Sequence, residues 1–439
     1  MKHHPTIPRY VCHLGLLVFM IIHALGYAQT STVPFVYGDA LPDAPELAPR
    51  GPYKVGVRTL DFVHMGQVDI LNSKAGVDPR YDRLLKVEVW YPAVLPEGAE
   101  EITLYEDVMG VAGDSLRPLL PFTFPGRALR DAQPLAPGGA YPLVVVSHGY
   151  LGSRYLMTYL TENLASKGYI VVAIDHMEST FRDAAGFQST LLNRSQDIGF
   201  VVGEVASLGK QGSGHFLSGL VDAENTAIIG YSMGGYGVLN LAGAGFSDAM
   251  VGFFAGMTGG SKAIAVLSAR NPQYQASSDR RIKAVVALAP WGMERGVWDA
   301  DGLKGLTTPT FFVAGSEDDI SGYEKGIKAI YEGAVNADRY LLTYRNARHN
   351  IAPNPPPAAS LQPGLHFDEY YRYAEPSWDQ RRINNINQHF ITAFLGIYLK
   401  QEDYGNYLNV REDSNEKVWP GFVPRSATGM QLLRDGPGE

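Results

Sequence analysis

From Tyr141 onward, short apolar runs recur with stretches of helical spacing between them: "YPLVVVSHG", "YIVVAID", "NTAIIGYS", "IKAVVALAP", "TPTFFVAG" and "RYLLTYRN". A run with no polar alternation predicts a strand buried on both faces. "RYLMTYLTENLASKG", "TLLNRSQDIGFVVGEVASLG" and "YEKGIKAIYEGAV" carry helical spacing, and the long "SWDQRRINNINQHFITAFLGIYLK" follows the last run. Strands and helices in alternation predict an α/β chain with a mostly parallel central sheet and helices on both faces. Upstream, "YKVGVRTLDFV" and "LLKVEVWYP" alternate like strands, with the Asn72 to Arg83 region as a turn between them, and residues 96–140 read as loop-rich. No internal repeat is visible. One catalytic domain is expected over residues 52–401, with an extended, Pro-rich lead-in at 29–51 and a C-terminal tail at 402–439.

The N-terminus reads as an export signal, with an uncleaved membrane anchor as the alternative. Lys2 and Arg9 precede the apolar "VCHLGLLVFMIIHALG", and Gly26 and Ala28 suit a cut after Ala28. Cleavage of residues 1–28 would remove Cys12, the one cysteine of the chain. The exported protein would then hold no disulfide, no thiolate nucleophile and no stable membrane span. A periplasmic or secreted location follows. Charged residues make up 19% of the chain and no basic block stands out, so a phosphate-backbone partner, which needs clustered Lys and Arg, is not expected.

Within "NTAIIGYSMGGYGVLNLAG", Ser232 stands in a G-x-S-x-G pattern between a strand-like run and a helix-like segment. Glycine is abundant, at 48 of 439 residues, so the pattern alone is weak. Its position is what carries weight: a serine on a tight strand-to-helix turn is pushed above the sheet edge, where its hydroxyl can act as a nucleophile. Such a hydroxyl needs a base. Of the histidines beyond the leader, His349 in "RYLLTYRNARHNIAP" follows the last strand-like run, where the base is needed. The acid that orients it should follow a strand between the two. "TPTFFVAGSEDDISGY" offers Asp318, preferred, and Asp319. Two backbone N–H groups must face the developing oxyanion. Met233, next after the nucleophile, supplies one, and the "SHGYLG" loop supplies the other, from Tyr150 or, in reserve, Leu151. His148 in that loop reads as structural.

These motifs together resemble the α/β-hydrolase superfamily. Within it, the chain is similar to dienelactone-hydrolase-like serine esterases and to platelet-activating-factor acetylhydrolases, the latter through "SHGYLGSRYLMTYLTENLASKGYIVVAIDH". The resemblance covers residues 52–400 and implies the α/β-hydrolase fold, a triad of Ser232, Asp318 and His349, and oxyanion donors at Tyr150 and Met233. Dienelactone hydrolases proper use cysteine where this chain has Ser232. "ALAPWGM" offers no carboxylate where the acetylhydrolases place their acid, which moves the acid one strand later. That later position, with "GYSMGG" and "APW" before "TPT", resembles bacterial cutinases and polyester hydrolases. Counted from the strand glycine, their acid aligns with Asp319; aligned on the "DDISG" run, it falls on Asp318. The same resemblance implies that Trp291 lines the substrate cleft. The stretch from 249 to 280 is longer than the cutinase connection and is expected to form a cap.

No metal or cofactor is expected: no H-x-x-H or H-E-x-x-H pair and no G-x-G-x-x-G after a strand is present. The expectation is an exported serine carboxylic ester hydrolase that takes a small-molecule, lipid or polyester ester. A cutinase, polyester hydrolase or short-acyl phospholipid lipase is the alternative of the same chemistry. A catalytically silent binding protein on the same scaffold is the alternative of another class.

Overall fold

The valine-rich run at 143–146 is buried on both faces, and the rest of the molecule is layered around it. The computed structural model describes Met1 and residues 35–136, 138–275, 278–412 and 418–439. The leader expected at 1–28, Met1 apart, lies outside the described residues. Six parallel strands form the centre of the sheet: Tyr141–Ser147 (β7), Ile170–Asp175 (β8), Val221–Tyr231 (β9), Ile282–Leu288 (β10), Thr310–Gly315 (β11) and Arg339–Tyr344 (β12). Lys54–Val68 (β1) and Arg80–Val94 (β2) form an antiparallel pair that joins β8. Two short strands, Leu129–Arg130 (β5) and Gln133–Pro134 (β6), pair with β1 and β2. Met430–Asp435 (β13) closes the other edge antiparallel to β12. The eleven-stranded sheet runs β13-β12-β11-β10-β9-β7-β8-β2-β1-β5, with β6 beside β2.

Four helices matter for the site: Thr158–Ser166 (α1), Phe187–Gly209 (α2), Met233–Leu241 (α3) and Gln380–Lys400 (α6). Between the last two lie Asp248–Met257 (α4) and the short Phe367–Tyr371 (α5). Helix α2 packs on α3, and α6 packs on α1, so the two pairs cover the sheet. The chain leaves β7 toward β8, then returns across it to build β9. That reversal opens a crevice at the carboxyl ends of β7 and β9, where open α/β sheets bind ligands.

The structure departs from the expectations at three places. Residues 96–140 are not all loop: Thr103–Met109 (β3) and Leu120–Gly126 (β4) form an antiparallel hairpin outside the main sheet. It is held by a buried polar chain in which Trp90 Nε1–H donates to Tyr105 Oη at 2.7 Å and Tyr105 Oη–H to Glu162 at 2.6 Å. Burial pushes the Glu162 carboxyl up to about 7. The stretch 402–439 is no tail, since β13 belongs to the central sheet. The 249–280 insertion packs beside the turn between β1 and β2, with Gly76 N–H donating to Gly259 O at 3.0 Å.

A buried charged network joins β2 to α2. The Arg83 guanidinium grips Asp197 of α2 with two bonds, of 3.0 and 2.9 Å, and both side chains are buried. Burial alone would push the Asp197 carboxyl up. Arg83, with His176 and His64, more than offsets this and holds it well below the ordinary range. Removing Asp197 would leave the buried guanidinium with Glu178, at 2.9 Å, as its one remaining carboxylate among the described residues, and would strand the face of Arg83 that Asp197 held. Asp197→Ala should therefore destabilise the fold by about 3–5 kcal/mol, measured by urea or thermal unfolding. A loss below about 1 kcal/mol, typical of an exposed pair, would show that water reaches Arg83.

Candidate active site

Strand β9 ends at Tyr231 and α3 begins at Met233, so Ser232 alone makes the turn. Its backbone sits at φ 54°, ψ −112°, a conformation that costs a non-glycine residue of order 1–3 kcal/mol. The flanking glycines are a matter of space. A Cβ on Gly230 would lie 2.1 Å from Gly234 O, and one on Gly234 would lie 2.0 Å from Ser147 O of β7. Backbone bonds close the turn: Ser232 N–H donates to Leu288 O at 2.9 Å, and Ser232 O accepts from Tyr236 N–H at 2.9 Å and Trp291 N–H at 3.2 Å.

Above this turn stands a chain of hydrogen bonds. Ser232 Oγ lies 2.9 Å from His349 Nε2. On the far side of the ring, His349 Nδ1 lies 2.9 and 3.0 Å from the two oxygens of Asp318. A carboxylate can only accept, so Nδ1 carries the proton and Nε2 is left to accept from the serine hydroxyl. Burial pushes the Asp318 carboxyl up, but the His349 ring and the N–H groups of Ser321 and Ile320 outweigh it and leave it below its ordinary value. Asp318 comes from the loop after β11 and His349 from the loop after β12. Asp319, the other acid in that loop, is exposed and pairs with Arg348. The geometry brings Asp318, not Asp319, to the imidazole.

The loop after β7 lies against the serine: a Cβ on Gly149 would be 3.3 Å from Ser232 Cβ. The Leu151 N–H is taken by Ser179 O at 3.0 Å, whereas the Tyr150 N–H has no acceptor among the described residues. Met233 opens α3, so its N–H has no acceptor in its own helix. Both residues line the cavity that contains Ser232 and His349. This cavity has a volume of about 400 Å³. Trp291 lines it too, edge-on to Phe187 at 5.2 Å between ring centroids, and Phe187 meets Tyr150 at 5.3 Å. None of the described residues of the expected 249–280 cap lines it. The rim is instead supplied by Ile320 and, from α5 and its end, Asp368, Tyr371 and Arg372.

A second Ser–His–Asp set lies beneath. Ser147 Oγ is 2.9 Å from His176 Nε2, and His176 Nδ1 is 3.2 Å from Asp197. All three are buried and no substrate can reach them. Burial, with Arg194 adding to it, pulls the His176 imidazole down to about 3, so it stays neutral. The set braces the loop above: His176 N–H donates to His148 Nε2 at 3.2 Å, and Arg194 donates to His148 O at 2.7 Å.

One functional contact escaped the sequence. Glu375 accepts from the N–H of Arg348 at 2.8 Å and of Asn350 at 3.0 Å, one on each side of His349. Its side chain therefore pins the backbone of the imidazole loop. "AEPSW" reads as an ordinary loop, and no spacing could have linked Glu375 to His349.

Residues 126–198 match the family described as platelet-activating factor acetylhydrolase, isoform II. That match takes in the β7 loop and stops before Ser232. Cutinase est1 of Thermobifida alba is 25% identical over 215 residues, 49% of this chain and 55% of that protein. Cutinase 2 of Thermobifida cellulosilytica is 30% identical over 102 residues, 23% of this chain and 34% of that protein. The chain spans about half the length of the curated relatives it matches first. Among solved structures, a ferulic acid esterase from Streptomyces cinnamoneus superposes with a TM-score of 0.52 at 20% identity, covering 82% of this chain and 94% of that one. The chain has the α/β-hydrolase fold. Its sheet order, with the turn at Ser232 beside the crevice, is the arrangement that fold uses to present a reactive side chain.

The two neighbouring acids give a direct test. Asp318→Asn should lower Ser232-dependent hydrolysis of 4-nitrophenyl acetate by about 10⁴ in kcat, because the imidazole loses its tautomer. Asp319→Asn breaks only an exposed ion pair worth about 1 kcal/mol or less and should leave kcat within about fivefold. The reverse order of effects would assign the acid to Asp319.

Proposed function

We propose that this protein is a serine carboxylic ester hydrolase working through an acyl-enzyme. The single observation that carries the reading is the unbroken bond chain from Ser232 Oγ through His349 to Asp318, opening on a cavity. Ser232 Oγ attacks the ester carbonyl as His349 Nε2 takes its proton. The tetrahedral oxygen is met by the N–H groups of Tyr150 and Met233, fixed before the charge develops. His349 then passes its proton to the departing alcohol, and the acyl group remains on Ser232. Water attacks the acyl carbonyl as the same imidazole takes its proton; collapse then breaks the bond to Ser232 Oγ, His349 returns the proton to that oxygen, and the acid is released. Asp318 stays ionised throughout, holding the ring and offsetting the charge of the imidazolium.

The aromatic wall of Tyr150, Phe187 and Trp291 suits an ester with an apolar or aromatic portion. A polyester-hydrolase reading is favoured by one specific feature: the 249–280 insertion contributes no described residue to the cavity. Its relatives by similarity include proteins named cutinase and a bis(hydroxyethyl) terephthalate hydrolase of Streptomyces coelicolor, 23% identical over 217 residues. The "VCHLGLLVFMIIHALG" run at the N-terminus supports export. Among the described residues no helix is long and apolar enough to cross a membrane.

Hydrolysis of 4-nitrophenyl esters from acetate to palmitate, together with release of soluble acids from a polyester film, tests the reading. Activity on short esters, abolished in Ser232→Ala, is expected. Release from the film would add the polyester activity, and short-ester activity without it would confine the enzyme to small substrates. Equal turnover by wild type and Ser232→Ala would contradict the mechanism.

A further inference from the structure

The Ser232 cavity contains three charged side chains besides its imidazole, and two of them are already neutralised. Asp319 pairs with Arg348, and Asp368 pairs with Arg117 at 2.9 Å. The third, Arg372, has no carboxylate partner among the described residues, because the adjacent Glu369 is also held by Arg117, at 2.8 Å. Its guanidinium stacks on Phe181, 4.8 Å from the ring centroid, and donates from Nη1 to Leu151 O at 3.0 Å. Nε is buried with no acceptor, and Nη2 has none either while remaining accessible. Placing a cation in a partly buried site without a counter-ion is costly.

We propose that Arg372 is an anion subsite, and that the preferred substrates are esters carrying a free carboxylate elsewhere in the molecule, such as monoesters of dicarboxylic acids. The inference rests on the ester-hydrolase reading and adds the substrate class. The planar fork of a guanidinium matches a carboxylate with paired donors. The carbon skeleton between the two carboxyl groups would lie along Tyr150, Phe187 and Trp291, with the scissile carbonyl at Ser232. Burial pulls the Arg372 guanidinium down from its ordinary value, and a bound carboxylate would offset that cost. The contact with Leu151 O also ties occupancy of the subsite to the loop that carries the Tyr150 N–H.

The test compares 4-nitrophenyl hexanoate with mono(4-nitrophenyl) adipate, which share chain length and differ in a terminal carboxylate. Wild type should favour the adipate in kcat/KM. In Arg372→Gln the adipate-to-hexanoate ratio should fall by about ten- to hundredfold, the range of a hydrogen bond to a charged group, with the change in KM. Arg372→Lys, which keeps the charge, should retain most of the preference. Free adipate should inhibit hexanoate hydrolysis by wild type competitively, and adipamide should not, a result that needs no variant. An unchanged ratio in Arg372→Gln, or equal inhibition by adipate and adipamide, would overturn the anion subsite and leave the hydrolase reading standing. A wild type inert on both esters would overturn both.

Discussion

The strand-to-helix turn at Ser232 is the constraint on which the rest depends. One residue must reverse the chain between β9 and α3, and it does so at a backbone angle that side chains resist. The turn holds because neighbours on all sides leave no room to relax: Gly230 meets Gly234, Gly234 meets the Ser147 carbonyl, and bonds from Leu288, Trp291 and Tyr236 close on the serine backbone. The same crowding brings β7 close enough for its loop to face the serine hydroxyl. The positions of the proposed nucleophile and of the proposed oxyanion donors are therefore one packing problem.

The second layer of support is polar and buried. Arg83, Asp197, His176 and Arg194 form a network under the β7 loop, and its bonds end on His148, the residue that leads into Gly149 and Tyr150. On the opposite side Glu375 fixes the loop of His349 by its backbone. Each proposed reacting group is thus held by a neighbour whose own partners are fixed. Access distinguishes the two Ser–His–Asp sets: the one at Ser232 opens on a cavity, and the one at Ser147 is sealed and acts as a brace.

Much of this was legible in the chain. Strands buried on both faces betray themselves as unbroken apolar runs, and a lone serine between glycines at the end of one marks the turn. Chain order was enough to point to His349, which the fold places beside Ser232, and to narrow its carboxylate neighbour to Asp318 or Asp319. It could not separate those two, because their difference lies in which side chain points inward and which meets Arg348. The β3–β4 hairpin was hidden because "EDV" and "FTFPG" carry acids and proline where strands usually carry apolar residues. Its buried polar partners, Trp90 and Glu162, lie outside it in the sequence. Strand β13 was missed because it pairs with β12 across a long intervening stretch. Arg372 and Glu375 lie at and just beyond the end of the short α5, in a stretch without strand or long-helix periodicity, so only the folded chain brings them beside the cavity.

The most direct measurement is covalent trapping. Wild-type protein incubated with a fluorophosphonate ester, digested and examined by mass spectrometry should carry one adduct, on the peptide containing Ser232. The adduct should be absent in Ser232→Ala and strongly slowed in His349→Ala. An adduct on another serine, Ser147 included, or none under conditions that keep the protein folded, would contradict the account.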